Sequence, residues 1–274
     1  MPLSINPVKN HREREKGVFV YPVYSRRSEG LSVGINLFPD KKQCPFDCPY
    51  CEVFPFSSKA VFSLEQMETD LCSVIEEANE KNIPVKDICF SGNGEPSISP
   101  FFSDALKEAA KIRAELSPSA KIVLITNGAG LLHEQTFDLL AEAVSSIDLD
   151  IWLKLDAGTP EWYEKINCSD ISFDKLTAKI KEFTSCASVT IQTMLCAIDG
   201  IAPSDEEAKA WEQLALDLAV NGNIRKVQIY GKARPAPEDP KAQALPVSCL
   251  EERAESLKRA LAARGRETEV EVYA

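Results

Sequence analysis

Gln43-Cys44-Pro45-Phe46-Asp47-Cys48-Pro49-Tyr50-Cys51 places three cysteines at CxxxCxxC spacing. Pro45 and Pro49 keep the run out of helix and strand, because each proline fixes φ and removes a main-chain donor. An irregular loop of this kind can turn three thiolates toward one face of an inorganic cube. One corner of the cube is then left without a protein ligand. A [4Fe-4S] cluster closed by four cysteines only passes electrons, whereas one held by Cys44, Cys48 and Cys51 keeps an open iron at which a small molecule can chelate and be activated. The alternative is zinc. Structural zinc prefers four ligands in Cys pairs two to four residues apart, and the chain offers only His11 and His133 as nitrogen donors.

The segments around the cysteine loop alternate between the two periodicities. Ahead of it, Gly17 to Ser25 is aromatic and β-branched and reads as a strand, with Pro22 suited to an edge, and Leu31 to Phe38 reads as a second strand after a turn at Ser28-Glu29-Gly30. Behind it, Leu64, Met67, Leu71, Ile75 and Ala78 recur at helical spacing, with Ser63 and Gln66 as a capping box and Lys81-Asn82 as the stop. Strands are then expected at Val85 to Phe90, Lys121 to Thr126, Leu149 to Leu155, Val189 to Met194 and Lys226 to Tyr230. Helices are expected at Phe101 to Leu116, Leu131 to Val144, Pro160 to Ile166, Phe173 to Phe183 and Ser204 to Val220, the last opened by Ser204 with Glu207. A Pro-rich connector, Arg234 to Pro246, leads to a helix at Leu250 to Arg264 and an alternating strand at Thr268 to Tyr273.

Strands alternating with helices imply a parallel sheet with right-handed crossovers. Six core strands, from Leu31 through Lys226, are too few for a closed eight-stranded barrel, so the expected fold is α/β, a partial (βα)6 TIM-like barrel with an N-terminal hairpin and a C-terminal helix-strand extension. With 274 residues of which 44% are hydrophobic, one large core is expected: a single domain over 1–274, with an N-terminal extension at 1–30, the barrel at 31–235 and a C-terminal extension at 236–274. Cys72, Cys89, Cys168, Cys186, Cys196 and Cys249 show no paired spacing, which argues against disulfides and against a second cluster. No apolar run reaches membrane-spanning length and Met1 to Lys16 is too charged for a secretory signal, so a cytoplasmic protein is expected. A net charge of −11 argues against nucleic-acid binding. Arg12, Arg14, Lys16, Arg26, Arg27, Lys41 and Lys42 read as solvated charges or ligand contacts rather than a phosphate-binding patch.

The cysteine spacing with Tyr50 just before Cys51 resembles the CxxxCx-aromatic-C signature of the radical S-adenosylmethionine (radical SAM) superfamily. The likeness extends to Ser91-Gly92-Asn93-Gly94-Glu95-Pro96, which is similar to that family's GGE motif with Asn93 in a place often taken by glycine. It also covers Val20 to Arg27, Gly34-Ile35-Asn36-Leu37, Lys154 to Asp156 and Gln228-Ile229-Tyr230. The resemblance implies one [4Fe-4S] cluster whose open iron binds the amino and carboxylate groups of SAM. A reducing electron, from a partner such as flavodoxin or ferredoxin, then yields a 5′-deoxyadenosyl radical and methionine. It implies that Tyr50 lies against the adenine, and that the Gly92-Asn93-Gly94-Glu95 backbone receives the SAM amino group. Lys154 would pair with the SAM carboxylate, Asp156 would hold the ribose, and Gln192, Gln228 and Tyr230 would contact adenine or line the substrate space. The activity implied is hydrogen abstraction from a small molecule, amino acid or peptide. A glycyl-radical activase or a tRNA-modifying enzyme is the alternative among enzymes. An iron-sulfur electron carrier or a zinc-binding module is the alternative outside them.

Residues at the carboxyl ends of the strands carry the chemistry in α/β barrels, and several keep two readings. Asn127, in Thr126-Asn127-Gly128, either reaches a ligand or caps the next helix. Lys154 and Asp156, on one side of a buried strand, are either cofactor contacts or a structural ion pair. Gln192 and Gln228 are polar in apolar strands and each requires a specific partner. Cys196 is either a hydrogen-atom donor or a small buried thiol. Arg234, Arg26 and Arg27 are anchors for an anion or members of surface ion pairs, and His133 is a cap or surface residue.

Overall fold

The computed structural model describes residues 17–274; His11, Arg12, Arg14, Lys16 and the polar start from Met1 to Lys16 lie outside the described residues. In chain order the elements are β1 Val20–Ser25, β2 Gly30–Ile35, α1 Leu64–Glu80, β3 Val85–Phe90, α2 Phe102–Leu116, β4 Lys121–Thr126, α3 Glu134–Ser146, β5 Leu149–Lys154, α4 Pro160–Ile166, α5 Phe173–Cys186, β6 Val189–Ile198, α6 Asp205–Asn221, β7 Ile224–Gly231, β8 Ala242–Ala244, α7 Val247–Ala263 and β9 Glu269–Tyr273. The alternation is the expected one, and the fold is α/β, of the partial-barrel class. The chain divides into two compact units.

The first unit holds the described residues up to Cys44 together with Val53–Thr126 and Glu142–Asp150. Its strands β1 and β2 form the antiparallel hairpin, paired from Val20 with Ile35 to Ser25 with Gly30, and Glu29 takes the left-handed turn at φ 54°. β1 is an edge strand, which is why Pro22 is tolerated. β2 pairs parallel with β3 and β3 with β4, and every residue of β2 is buried. Gly34 is required there. A Cβ on it would stand 2.2 Å from the Tyr21 ring, which crosses the strand so that its hydroxyl meets the Ser91 hydroxyl at 2.8 Å. α1 buries Met67, Leu71, Ile75 and Ala78 of the stripe its spacing predicts, with Leu64 half-buried at its start, and Met67, Leu71 and Ile75 contribute about 1.5–3 kcal/mol each. Only half of its capping box forms. Ser63 Oγ accepts from the Gln66 N–H at 3.2 Å, but Gln66 Nε2 turns down the helix to Asp70 at 2.8 Å.

The second unit holds Pro45–Glu52, Asn127–Ala141 and Ile151–Ala274. Its part of β5 pairs parallel with β6, β6 with β7, and β7 with β9, so the C-terminal strand extends this sheet at an edge. Two expectations are corrected here. β6 runs on to Ile198, because the connector expected to be irregular contributes β8, which pairs antiparallel with Cys196, Ala197 and Ile198. The helix expected from Leu131 begins instead as a 3-10 turn, Ala129–Leu132, after Gly128 at φ 82°; His133 is extended, and its carbonyl accepts from the Phe137 N–H at 2.9 Å as α3 starts. α6 is laid directly on Gly158, where a Cβ would stand 2.0 Å from the Trp211 nitrogen. Glu207 does not complete a capping box with Ser204. Its carboxylate accepts from the Gly158 N–H at 2.6 Å and the Thr159 hydroxyl at 2.5 Å, joining α6 to the start of α4.

Candidate functional site

In the first unit the polar residues gather behind β2 and β3. Gln43, one residue before Cys44, donates its N–H to Asn93 O at 3.0 Å and accepts from Glu95 N–H at 2.9 Å, so the chain that leads into the cysteine loop is paired with the Gly-rich turn. Gly94 makes this approach possible, since a Cβ on it would stand 2.0 Å from Gln43 O. Gly92 takes φ +121° for a similar reason: a Cβ there would stand 2.8 Å from Asn36 Oδ1. Asn36 accepts from the Asn93 and Phe38 N–H groups at 3.1 and 3.2 Å and donates to Val18 O at 2.9 Å. The buried carboxylate of Glu95 accepts from the Ser97 N–H at 3.1 Å and from the Ser97 and Thr126 hydroxyls, each at 2.6 Å. The turn is thus fixed to both neighbouring strand ends. Arg27 acts on Asp87, whose carboxyl is pushed up by burial and drawn back by Ser28, Ser32 and Arg27.

The second unit holds the rest of the cysteine loop and the end of β5. Asp156 is the centre of its network. Oδ1 accepts from the Met194 N–H at 2.8 Å and lies 3.1 Å from Lys154 Nζ, while Oδ2 accepts from the Tyr50 hydroxyl at 2.5 Å and from Asn167 Nδ2 at 3.0 Å. Lys154 donates to the Tyr230 hydroxyl, and its ammonium stands over the Tyr50 and Tyr230 rings at 4.8 and 4.7 Å. Burial pulls that ammonium down, but Asp156 and Tyr230 outweigh it, leaving it above the ordinary lysine value. Burial, reinforced by Asp156, holds the Tyr50 phenol well above its usual value. Cys48 lies in the same network, where burial and the Asp156 charge push its thiol up to about 12.

The structure brings Cys48, Tyr50, Lys154, Asp156 and Tyr230 together, and makes Gln192 and Gln228 each other's partner, with Gln192 Nε2 donating at 2.8 Å. Gln192 Oε1 is buried with no partner. The Lys154 and Asp156 ion pair exists as one of the two readings required. Asn127 Oδ1 accepts from the Ala129 N–H at 2.9 Å, at the 3-10 turn that precedes α3. Cys196 is fully buried, two residues beyond Met194 in β6, and burial pushes its thiol up to about 12. Arg234 pairs with Glu52, next to Cys51, at 2.8 Å. Asn36, Glu52 and Asn167 are contributors that residue-by-residue reading did not single out, because a lone amide or carboxylate in a loop carries no periodic signal. Cys44, Cys48 and Cys51 form no disulfide, and the Cys51 N–H donates to Cys48 O at 2.9 Å. Among the described residues no three Cys, His, Asp or Glu side chains are grouped as ligands of a metal ion.

The family model of the radical SAM superfamily matches residues 41–210. A UPF0026 protein of Helicobacter pylori strain J99 is 28% identical over 165 residues, 57% of this chain and 51% of that protein. A UPF0026 protein of strain 26695 is 29% identical over 145 residues, 49% and 44% of the two chains. The match thus spans about half the length of these curated relatives. Among solved structures, a radical SAM methyltransferase from Sphaerobacter thermophilus superposes with a TM-score of 0.62 at 16% identity, over 92% of this chain and 68% of that one. Streptococcus suis SuiB, solved with its precursor peptide SuiA, gives 0.61 at 14% identity, over 85% and 47%. These likenesses are of fold. Among the described residues no helix is long and apolar enough to cross a membrane.

Proposed function

Because this chain belongs to the radical SAM superfamily, we propose that it uses one [4Fe-4S] cluster and SAM to abstract hydrogen from a small-molecule, amino-acid or peptide substrate. The observation that carries this reading is the tie between the cysteine loop and the end of β5, in which Tyr50 and Asn167 share Asp156 Oδ2. Cys44, Cys48 and Cys51 would hold the cluster, which would supply the electron for reductive cleavage of SAM. The residues fit it: the donors are three thiols outside any disulfide, of the kind iron-sulfur clusters take, in a loop tied by main-chain hydrogen bonds at Gln43 and Asp47.

The chain's own work is to bind, orient and exclude water. Gly92, Asn93, Gly94 and Glu95 offer a turn with no side chain at two of its four positions, where a ligand ammonium can approach main-chain carbonyls. Lys154, kept protonated, offers an ammonium to a ligand carboxylate, and Asp156 orders it. Tyr50, held by its hydroxyl, offers a ring face to adenine, and Tyr230, Gln192 and Gln228 border the same region of the sheet. The unpartnered Gln192 Oε1 suits a ligand donor. Electrons come from a reduced flavodoxin or ferredoxin in the cytoplasm.

The test is anaerobic reconstitution with iron and sulfide, addition of SAM and dithionite, and chromatography for 5′-deoxyadenosine. Its formation by the wild-type chain and its loss in Cys48→Ala is the expected result. Equal formation by both sinks the reading.

A further inference from the structure

The loop after α4 is built onto the cysteine loop. Asn167 O and Cys168 O both face the Asp47 N–H, at 3.1 and 3.3 Å, Phe46 and Ser169 form an antiparallel bridge, and the Ser169 hydroxyl donates to Pro45 O at 3.1 Å. This arrangement needs Cys168 in the left-handed region at φ 45°, a conformation that costs a non-glycine residue on the order of 1 kcal/mol and is kept where the surroundings over-determine it. At its head, Asn167 Nδ2 stands 3.5 Å from Cys48 Sγ and 3.0 Å from Asp156 Oδ2, so one amide reaches the sulfur and the strand-end carboxylate. The carboxylate fixes which face of the amide meets the sulfur, because only the NH2 end can donate to it. Asn167 itself is buried.

We propose that Asn167 is a positioning residue of the cluster, holding the Cys48 sulfur by a side-chain N–H bond and thereby setting the reduction potential. The proposal rests on the reading above. A donor to a ligating thiolate stabilises the more negative, reduced state, so its presence raises the potential. The Asn167 backbone sits at φ −109°, ψ −23°, open to any residue, and Asp156 keeps three other partners when the amide is lost, so substitution leaves the main chain in place.

The test compares wild type with Asn167→Leu and Asn167→Ala after anaerobic reconstitution. Dye-mediated titration followed by electron paramagnetic resonance reads the potential, and resonance Raman reads the iron-thiolate stretch. The expected result is a reduced-to-oxidised ratio about tenfold lower at a given poise, equivalent to about 59 mV for a one-electron couple, with the stretch moved to higher frequency. Loss of the cluster from both variants, with the circular dichroism and Tm of the metal-free chains unchanged, supports the same role. Potential and stretch equal to wild type in a loaded variant overturn it while the SAM reading stands. A wild-type chain that takes up no cluster overturns that reading itself, and this proposal with it.

Discussion

Gly94 shows how a single atom sets local geometry. Gln43 O occupies the place a Cβ would take, 2.0 Å away, and both atoms belong to backbone that is hydrogen-bonded on either side, so neither can move alone. Gly94→Ala therefore separates Gln43 from the Asn93-Gly94-Glu95 turn. The expected cost is about 1–3 kcal/mol of stability, as for other overpacked sites, together with loss of SAM-dependent product. Urea unfolding and 5′-deoxyadenosine formation measure the two, and an alanine variant with wild-type values for both refutes the close approach. Glu95 Oε1 accepts from the Ser97 N–H and from the Ser97 and Thr126 hydroxyls around the same turn, so its rigidity comes from side chains as well as from the absence of one.

At the scale of elements, Ser204 caps its own helix, while the acidic residue three positions on serves a neighbouring one. Glu207 lies in the first turn of α6, where its sequence spacing from Ser204 suggests a capping box, yet it serves the Gly158 N–H and Thr159 hydroxyl ahead of α4. Burial raises its carboxyl above the usual range, while Thr159 and the Gly158 and Thr159 main chain draw it back. Glu207→Ala leaves a half-buried N–H and hydroxyl without their acceptor, which costs about 1–3 kcal/mol. The urea midpoint of this variant should fall with the slope unchanged, and an unaltered midpoint would show that the link carries no stability. The α4 to α5 loop acts between elements in the same way, through Asn167 and Ser169 on Pro45, Asp47 and Cys48.

For the whole molecule, the cysteines outside the loop are placed as packing residues or scattered thiols: Cys89 and Cys196 are buried in strands, and Cys72, Cys186 and Cys249 lie in α1, α5 and α7. Reconstitution should accordingly bring about four iron and four sulfide per chain, unchanged in Cys196→Ala and lost in Cys48→Ala, as read by metal analysis and absorbance. Twice that content would reveal a second cluster and refute the assignment. The sequence by itself determined the α/β alternation, the helix stripes such as Met67, Leu71, Ile75 and Ala78, the strand limits of β3 and β4, and the cysteine loop, because periodicity, proline and ligand spacing are local properties of a chain. Tertiary structure alone decided that β6 extends to meet β8, that Asp156 gathers Tyr50 and Asn167, and that Gln192 chooses Gln228. These are choices of partner across 11 to 106 positions of sequence. A buried polar group must find some partner, but which one it finds is fixed only when the strands and loops that carry both are packed.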